Sequence, residues 1–576
     1  MIHSVRNVSL FVFVSIILFH LINNLLWFYN DGYAVHGCHS VWHEKLSFDL
    51  SHFLKDTQEP LYKRILKLFE FFQLSRYGNT FSITNYSLTN LFLIFPYASS
   101  LNGHANLLLI YLINFFHFIC VLGILVWVGS ILFNRNVGIW SAVILSFYPG
   151  MIGLSRKVNV SLTTTLCILL LVIVLVQWKK FGKSAWGELL ALVFCFGILS
   201  SPIFFAFAIP LVLFHIIYSL WVDNKKIFRL FAVCRFILLC GIFFHLYSGG
   251  QYIDFFENIH EQFLEMYQKF TFQSSSFIGS ANDGIIESFL FAPQDSVCPC
   301  TQTTNVGCNL KTFLFYIMQC IKYSSPLFFI IGLCSLLILL ISKTLNRYTK
   351  GILMLWVIGG YIILSIFHIK WGKFCTPMLP VFALSSAYVI TKNRNWSKIS
   401  KVFIIIVGVG VTLYYSYVPY PRPHLLEKLT EGLVSHRPLR SMFVPVAEET
   451  GRTIMDTILD STQDLRIAFV DKDSPRFKGE WVTDMSLRVG LLVSTFITKP
   501  HTMEYFWSLD EYTITSFDEF RYFVVLTHEK VTDMQQYLFP HNERNEKYRL
   551  LILSENILYK STFLYLVKIQ VLSEQK

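Results

Sequence analysis

Residues 107–133 of the chain read LLLIYLINFFHFICVLGILVWVGSILF, without a single charged side chain. About 20 consecutive apolar residues suffice for a helix to cross the hydrocarbon core of a bilayer, so this stretch predicts a transmembrane helix. Roughly ten other segments between Met1 and Tyr417 have the same character. The sequence therefore predicts a mainly α, polytopic membrane protein with about eleven transmembrane helices.

The overall composition agrees with this class of protein. Of the 576 residues, 54% are hydrophobic and only 15% are charged, whereas a soluble globular chain has about 25% charged residues. The net charge of +11 does not indicate a nucleic-acid ligand. Most of the excess lies in short loops beside apolar segments, where it sets orientation and meets anionic headgroups. The predicted surroundings are therefore membrane lipids.

The short loops fall into two sets according to their basic residues. One set, on alternate loops, holds Arg6, Arg135, Lys179, Lys180, Lys183, Lys225, Lys226, Arg229, Lys343, Arg347, Lys350, Lys392, Arg394, Lys398 and Lys401. By the positive-inside rule these loops are cytoplasmic. The other short loops hold only Arg156, Lys157, Lys370 and Lys373. These four are candidates for function, because topology does not require them on the far side.

The predicted organisation is a membrane domain over residues 1–420 and an external α/β domain over residues 421–576. Two long loops, residues 30–103 and 248–322, are predicted on the non-cytoplasmic side. After residue 424, apolar runs of strand length alternate with helical patterns, which is typical of a small α/β domain. The predicted strands are Arg466–Val470, Tyr522–Leu526, Arg549–Leu553 and Leu564–Ile569, and the predicted helices are Thr483–Phe496 and Lys530–Leu538.

The four cations on the non-cytoplasmic face suit a phosphate group carried on a lipid. A guanidinium fork or an ammonium pairs well with phosphoryl oxygens at the edge of the hydrocarbon. The alternative is that these side chains only reach toward lipid headgroups. Acidic or imidazole groups of the first loop could act as a base toward an incoming hydroxyl.

The first loop is also rich in histidine, with four His residues between His36 and His52. This density leaves a divalent metal open as a cofactor, the alternative being the polar face of an interfacial helix. No cofactor is certain from the sequence.

The stretch LFNRNVGIWSAVILSFYP (residues 132–149), followed by Gly153-Leu-Ser-Arg156, resembles GT-C membrane glycosyltransferases. The similar group is that of the dolichyl-phosphate-mannose mannosyltransferases and aminoarabinose transferases. Lys373-Phe374-x-x-Pro377-x-Leu379-Pro380 carries the same resemblance. The layout of one anchor, a large external loop, many spans and an external C-terminal domain also matches. The resemblance implies a GT-C-like fold and transfer of a sugar from a polyprenyl-phosphate carrier to an acceptor.

The resemblance also implies roles for individual residues. Arg156 and Lys373 would hold the lipid phosphate. Apart from the resemblance, Lys157 and Lys370 of the same set of loops and His43 of the first loop are further candidates for substrate binding. Relatives use an acidic residue of the first loop as the base. The best match here is His39-Ser-Val-Trp-His43, in which His39 replaces that acid. The candidate catalytic residues are therefore His39 and the two nearest carboxylates, Asp31 and Glu44.

The leading hypothesis is a hexosyl- or pentosyltransferase that uses a polyprenyl-phosphate sugar. It would act on the non-cytoplasmic face of a bacterial plasma (inner) membrane, with an acceptor that the sequence does not identify. Three departures from the relatives, of which His39 is the first, keep a catalytically silent scaffold open as an alternative. Ser161 stands where relatives often have Asp, and Ser200-Ser201 where they often have Thr-Lys.

A lipid or solute transporter is the other alternative. It would use ionisable residues inside the spans. The candidates are His117, Arg235 and His245, none of which has an evident acidic partner in the sequence.

Overall fold

The structure is a computed structural model. It describes residues 2–31, 47, 50–51, 60, 62–63, 75–77, 80–82, 87–98, 104–156, 158–181, 185–201, 203–222, 226–248, 310–343, 345–366, 372–392, 397–417, 465–471, 501–506, 522–527, 530–538, 548–558 and 562–571. Up to Tyr417 these residues are almost entirely helical, and from Leu465 onward they form a sheet with one short helix.

The helices follow one another along the chain with short connections. They are α1 (Ile2–Asp31), α2 (Ser87–Ala98), α3 (His104–Leu132), α4 (Arg135–Ser146), α5 (Pro149–Arg156), α6 (Val160–Phe181), α7 (Ala185–Ser200), α8 (Ile203–Val222), α9 (Lys226–Ser248), α10 (Leu310–Ser324), α11 (Pro326–Ile341), α12 (Arg347–Met354), α13 (Gly360–Ile366), α14 (Leu379–Lys392), α15 (Ser397–Tyr417) and α16 (Met534–Leu538). A π-helical turn, Leu355–Gly359, joins α12 to α13, and a 3-10 helix, Gly372–Met378, precedes α14.

Within the described residues, seven helical segments are long and apolar enough to cross a membrane. Two bent pairs, α4 with α5 and α10 with α11, also qualify when each pair is taken as one span. Two shorter apolar segments, Ala185–Ser200 and Phe231–Phe243, correspond to the remaining two predicted spans. These segments correspond one to one with the spans predicted from the sequence. The chain is thus an integral membrane protein, and the predicted fold class is confirmed.

The first long loop contains a short apolar helix, α2. It has 12 residues, which is about 18 Å of helix and well short of the roughly 30 Å of a bilayer core. Pro96 lies in its last turn, where the missing N–H weakens the helix end. Helix α2 is therefore too short to cross the bilayer as a straight span.

A close contact between α3 and α4 depends on glycine. Gly138 of α4 lies against the backbone of α3 at Val126, and a Cβ at Gly138 would overlap the carbonyl oxygen of Val126. Gly129 faces Gly138 across the same contact. Membrane helices are held together by van der Waals packing and close backbone approach rather than by a hydrophobic driving force. The small residues therefore set the distance between these two helices.

The span formed by α10 and α11 bends sharply. The two helices meet at an angle of 115°, and Ser325 between them has φ 69°. A positive φ is uncommon for a residue with a Cβ, and Pro326 then starts α11 with the φ that a first helical position needs. The bend directs α10 onto α5, α13 and the 3-10 helix.

The C-terminal strands form one five-stranded mixed sheet. The strands are β3 (Leu465–Asp471), β4 (His501–Phe506), β5 (Tyr522–Thr527), β6 (Tyr548–Leu558) and β7 (Thr562–Val571), after a small hairpin of β1 (Ser75–Tyr77) and β2 (Thr80–Ser82). The sheet order is β4-β3-β5-β7-β6. Strand β3 pairs in parallel with β4 and β5, while β7 pairs antiparallel with β5 and β6.

The core of this sheet follows the alternation of a strand. Phe523 and Val525 of β5 point to one face, where they meet Tyr565 and Val567 of β7 and the short helix α16. All four predicted strands are present, and β4 is an additional one. The predicted helix Lys530–Leu538 is shorter than expected, since α16 begins at Met534.

Some predictions about this part of the chain fall on residues that the structure does not describe. The predicted helix Thr483–Phe496 and the predicted domain boundary between residues 420 and 421 lie outside the described residues.

Candidate functional site

Arg156 is the last residue of α5, the second half of a broken span. Helices α4 and α5 meet at 72°, and Pro149 opens α5. Proline has no N–H to continue the hydrogen-bond ladder of α4, but it fits the first position of a new helix. The break turns the end of α5 toward α15 and the 3-10 helix, with which it makes contact.

The Arg156 side chain is buried, with 5% of its surface exposed. Its Nε donates a hydrogen bond of 2.8 Å to Oδ1 of Asn24 in α1. Its Nη2 donates one of 2.5 Å to Oγ of Ser416 in α15. The guanidinium carbon lies 5.1 Å from the centre of the Trp27 ring, within the range of a cation–π contact. Two helices far apart in sequence, α1 and α15, therefore hold the cation that α5 carries.

Lys373 lies near the start of the 3-10 helix and is also buried, with 5% exposed. The backbone around it is fixed by two hydrogen bonds. Oγ1 of Thr376 donates to the Lys373 carbonyl at 2.6 Å, and Nε1 of Trp356 donates to the Pro377 carbonyl at 2.8 Å. Trp356 belongs to the π-helical turn, a distortion that is frequent at functional sites.

The elements that carry Arg156 and Lys373 are in contact. Helix α5 packs against the 3-10 helix, and both pack against α6 and α10. Two buried cations on adjoining elements create a positive potential in a medium of low dielectric constant. Such a potential favours an anion with several oxygens, such as a phosphate monoester or diester.

Helix α6 separates this site from a second cluster of polar groups. Arg156 lies just before Val160 at the start of α6, whereas Lys179 lies near its end. The 22 residues of α6 extend for about 33 Å, the thickness of a bilayer core. The two cations therefore lie at opposite ends of one membrane span, as the sorting of the loop charges predicts.

The cluster at the far end of α6 is a chain of buried hydrogen bonds. The Tyr348 hydroxyl donates to the Leu175 carbonyl at 3.1 Å. Because that hydroxyl has only one proton, the 2.7 Å contact with His215 requires Nδ1 of His215 to be the donor. Lys179 lies 4.1 Å from the centre of the Tyr348 ring. These groups tie α6, α8 and α12 together at that end.

The structure describes only part of the predicted site. Asp31 is the last residue of α1, and nothing is described of its side chain. The other predicted residues outside the described part of the chain are His39, His43, Glu44, Lys157 and Lys370. No group of three or more His, Cys, Asp or Glu side chains that could hold a metal occurs among the described residues. The histidine-rich part of the first loop is not among them.

Ser161, Ser200 and Ser201, which stand where relatives often have other residues, are buried. The Ser161 backbone N–H donates to Oδ1 of Asn159 at 2.8 Å, which begins α6. Ser200 Oγ donates to the Gly197 carbonyl at 2.6 Å and lies 3.3 Å from Oγ1 of Thr164. The Ser200 hydroxyl therefore links α7 to α6.

Two residues singled out for a transporter have partners in the structure. Arg235 Nη1 lies 2.8 Å from Oε1 of Glu188, so the expectation that Arg235 lacks an acidic partner is wrong. The pair joins α9 to α7 and offsets part of the cost of charge at a lipid-facing surface. His117 Nδ1 lies 2.8 Å from the Ile113 carbonyl of its own helix. Both side chains therefore have structural contacts that explain their presence.

Four residues of the site were not predicted from the sequence, namely Asn23, Asn24, Trp27 and Ser416. The first three lie in the segment that we interpreted only as a membrane anchor. The sequence does contain a pattern that could have identified them. The i, i+3, i+4, i+7 spacing of one helix face is occupied by His20, Asn23, Asn24 and Trp27. Polar side chains on one face of a transmembrane helix point inward to other protein groups.

Comparison with known proteins supports the architecture. A crystal structure of ArnT from Cupriavidus metallidurans in the apo state matches with a TM-score of 0.52 and 10% sequence identity, over 98% of each chain. A second ArnT structure from the same organism, bound to undecaprenyl phosphate, matches with a TM-score of 0.51 and 10% identity, over 97% of each chain. The fold is GT-C-like.

This agreement covers nearly the whole chain, and it confirms the resemblance at the level of the fold. No protein-family profile matches the chain, and no curated protein sequence matches it.

Proposed function

We propose that this GT-C-like protein is a membrane glycosyltransferase that moves a hexose or pentose from a polyprenyl-phosphate donor to an acceptor. The reaction would take place on the non-cytoplasmic face of a bacterial plasma membrane, with the C-terminal domain on the same side. The observation that carries the proposal is the buried guanidinium of Arg156 at the end of a broken span, on an element that packs against the one bearing Lys373.

The chemistry of the site supports a lipid phosphate as the group that is bound. When an acceptor hydroxyl attacks C1 of the donor sugar, the C1–O bond to the phosphate breaks and the polyprenyl phosphate leaves with an added negative charge. Fixed cations beside that phosphate stabilise the developing charge. The ArnT structure that contains undecaprenyl phosphate has the same fold as this chain, which adds to the support.

The attacking hydroxyl must lose a proton, so the proposal includes a base. His39, Asp31 and Glu44 are the candidates, because Asp31 ends α1 and the other two lie in the polar segment that follows it. A carboxylate or an imidazole can accept this proton at neutral pH. His43, Lys157 and Lys370 are proposed to contact the donor.

The test is an assay of polyprenyl-phosphate release from polyprenyl-phosphate hexoses and pentoses, with the full chain in membranes. Arg156→Ala and Lys373→Ala are expected to lower the rate by about 100-fold or more. Arg156→Lys, which keeps the charge and loses the fork, is expected to retain part of it. The matched control is Arg347→Ala, since Arg347 is exposed at the start of α12 on the predicted cytoplasmic side.

Equal rates for the wild type and Arg156→Ala would contradict the proposed site. Tight binding of undecaprenyl phosphate by the wild type, without turnover of any donor, would instead favour the catalytically silent scaffold. Two buried hydroxyl positions, Ser161 and Ser200, are the observation behind that alternative.

A further inference from the structure

One face of α1 carries four side chains that are not typical of a simple anchor. His20, Asn23, Asn24 and Trp27 are all buried, although much of the remaining surface of α1 is exposed and apolar. Burying polar groups inside a membrane protein is costly unless they meet partners. Three of the four, Asn23, Asn24 and Trp27, contact Arg156, Ser155 or Ser416.

Both polar atoms of the Asn24 side-chain amide form hydrogen bonds. Its Oδ1 accepts from Arg156 Nε at 2.8 Å, and its Nδ2 donates to Ser155 Oγ at 3.2 Å. Because Ser155 precedes Arg156 in α5, the two contacts clamp the end of α5 to α1. They also determine which way the amide points, with its oxygen toward the guanidinium.

The hydroxyl of Ser416 has no bonding capacity left over. It donates its proton to the Thr412 carbonyl at 2.7 Å. Its oxygen accepts from Arg156 Nη2 at 2.5 Å and from Asn23 Nδ2 at 2.9 Å. A hydroxyl offers one donor and two acceptor lone pairs, and all three are used. The position of this oxygen is therefore determined by three different helices.

Asn24 and Ser416 have a property that distinguishes them from the usual partners of a buried arginine. Both are neutral, so these two contacts orient the guanidinium without adding a carboxylate beside it. A carboxylate in the same place would hold the side chain more strongly but would compete with an anionic ligand. The choice of an amide and a hydroxyl suits a site in which the charge serves a ligand.

We propose that Asn24 and Ser416 are positioning residues that hold the plane of the Arg156 guanidinium for a lipid-linked phosphate. The first and last membrane helices, α1 and α15, are then parts of the substrate site. This inference rests on the proposed function, since it assigns a role to neighbours of the same arginine. A productive geometry requires that first-contact groups be locked by their supporting contacts.

The decisive variant is Asn24→Asp. It preserves the shape and the acceptor oxygen, and it places a carboxylate beside the guanidinium. If Asn24 only stabilises the fold, the new ion pair should leave phosphate binding unchanged. If Asn24 positions a charge for a ligand, binding of undecaprenyl phosphate to the purified full chain should weaken by about tenfold or more, while the melting temperature stays near that of the wild type.

Ser416 provides an independent pair of variants. Ser416→Ala removes the oxygen that accepts from Arg156 and should weaken binding several-fold, whereas Ser416→Thr keeps the hydroxyl and should restore it. The control is Ser386→Ala, because Ser386 is a buried serine of α14 that donates to the carbonyl four residues earlier, as Ser416 does, at 2.8 Å. Binding by this control should match the wild type.

The outcomes separate the two proposals. Wild-type binding by both Asn24→Asp and Ser416→Ala, with weak binding by Arg156→Ala, would overturn the positioning role and leave the proposed function standing. Wild-type binding by Arg156→Ala as well would remove the phosphate site itself. Should Asn24→Asp lower the melting temperature strongly, the comparison of Ser416→Ala with Ser416→Thr decides the positioning role.

Discussion

Nη2 of Arg156 donates a hydrogen bond to the hydroxyl oxygen of Ser416, 260 positions later in the chain. Ser416 is the last residue but one of α15, the final membrane helix. The same oxygen accepts from Asn23 of α1. One buried oxygen therefore connects the beginning, the middle and the end of the membrane region at the candidate site. The predictions below test how the surrounding helices support it.

The Trp356 indole is expected to hold the 3-10 helix that carries Lys373. Trp356→Phe removes the N–H that donates to the Pro377 carbonyl, while it keeps most of the ring packing. Loss of this bond should cost about 0.5–1.5 kcal/mol of stability and weaken the binding of undecaprenyl phosphate through displacement of Lys373. Binding and melting temperature would be measured on the same purified protein.

Trp140→Phe is the matched control for that change. The Trp140 Nε1 is buried and makes no hydrogen bond among the described residues, so its removal should leave phosphate binding intact. If Trp356→Phe and Trp140→Phe bound the lipid phosphate equally well, the 3-10 helix would not depend on the indole bond.

Tyr348→Phe is expected to lower stability without affecting the phosphate site. The change removes the hydroxyl that joins His215 to the Leu175 carbonyl. Hydrogen bonds between membrane helices contribute about 0.6 kcal/mol on average and up to about 1.7. Thermal unfolding in detergent should therefore begin at a lower temperature, while the affinity for undecaprenyl phosphate stays the same because the cluster lies at the other end of α6.

The control for the Tyr348→Phe variant is Tyr148→Phe. The Tyr148 hydroxyl is buried and lacks a hydrogen-bond partner among the described residues, so its loss should change stability by less than about 0.5 kcal/mol. A Tyr148→Phe protein as unstable as Tyr348→Phe would argue that the interhelical hydrogen bonds are not the cause.

Gly138→Ala should separate α3 from α4. The added methyl group would overlap the Val126 carbonyl oxygen, and overpacking of a close contact costs about 1–3 kcal/mol. Gly123→Ala on α3 is the control, because no atom lies within 4 Å of a Cβ at that position. Equal melting temperatures for the two variants would mean that the close approach is not needed.

The arrangement across the membrane predicts opposite accessibility for two groups of positions. A single cysteine placed at Ala105 and one placed at Arg135 should react with a membrane-impermeant thiol reagent from different sides of sealed vesicles, since both positions are exposed and lie at opposite ends of the α3 span. The measurement uses right-side-out and inverted vesicles. Labelling of both positions from one side would contradict the predicted topology and the site that depends on it.

Much of the membrane architecture was readable from the sequence because each helix satisfies its own backbone. A stretch such as residues 107–133 has no alternative to a helix in a bilayer, whatever its neighbours are. The alternation of Phe523 and Val525 likewise predicts a strand locally. Strand β4 was missed because the segment His501–Phe506 mixes polar and apolar residues and pairs only at the edge of the sheet.

Only part of the candidate site could be predicted from the sequence. Arg156 and Lys373 stand out because few basic residues occur on that set of loops. Asn24 and Ser416 do not stand out in this way, since a single amide or hydroxyl in an apolar helix is compatible with many roles. Their role depends on contacts with residues more than a hundred positions away in the chain. Such contacts leave no pattern in the local sequence.

The sequence alone determined that this chain crosses a membrane many times, which segments cross it, and which cations lie on the side with few basic residues. These properties follow from the cost of exposing backbone groups and charges to hydrocarbon, a cost that each segment meets by itself. Only the tertiary structure decided that α1, α5 and α15 meet at one guanidinium and that the Lys373 element packs against α5. Helix packing in a bilayer rests on shape and on pairs of polar groups, and both are properties of the assembled bundle.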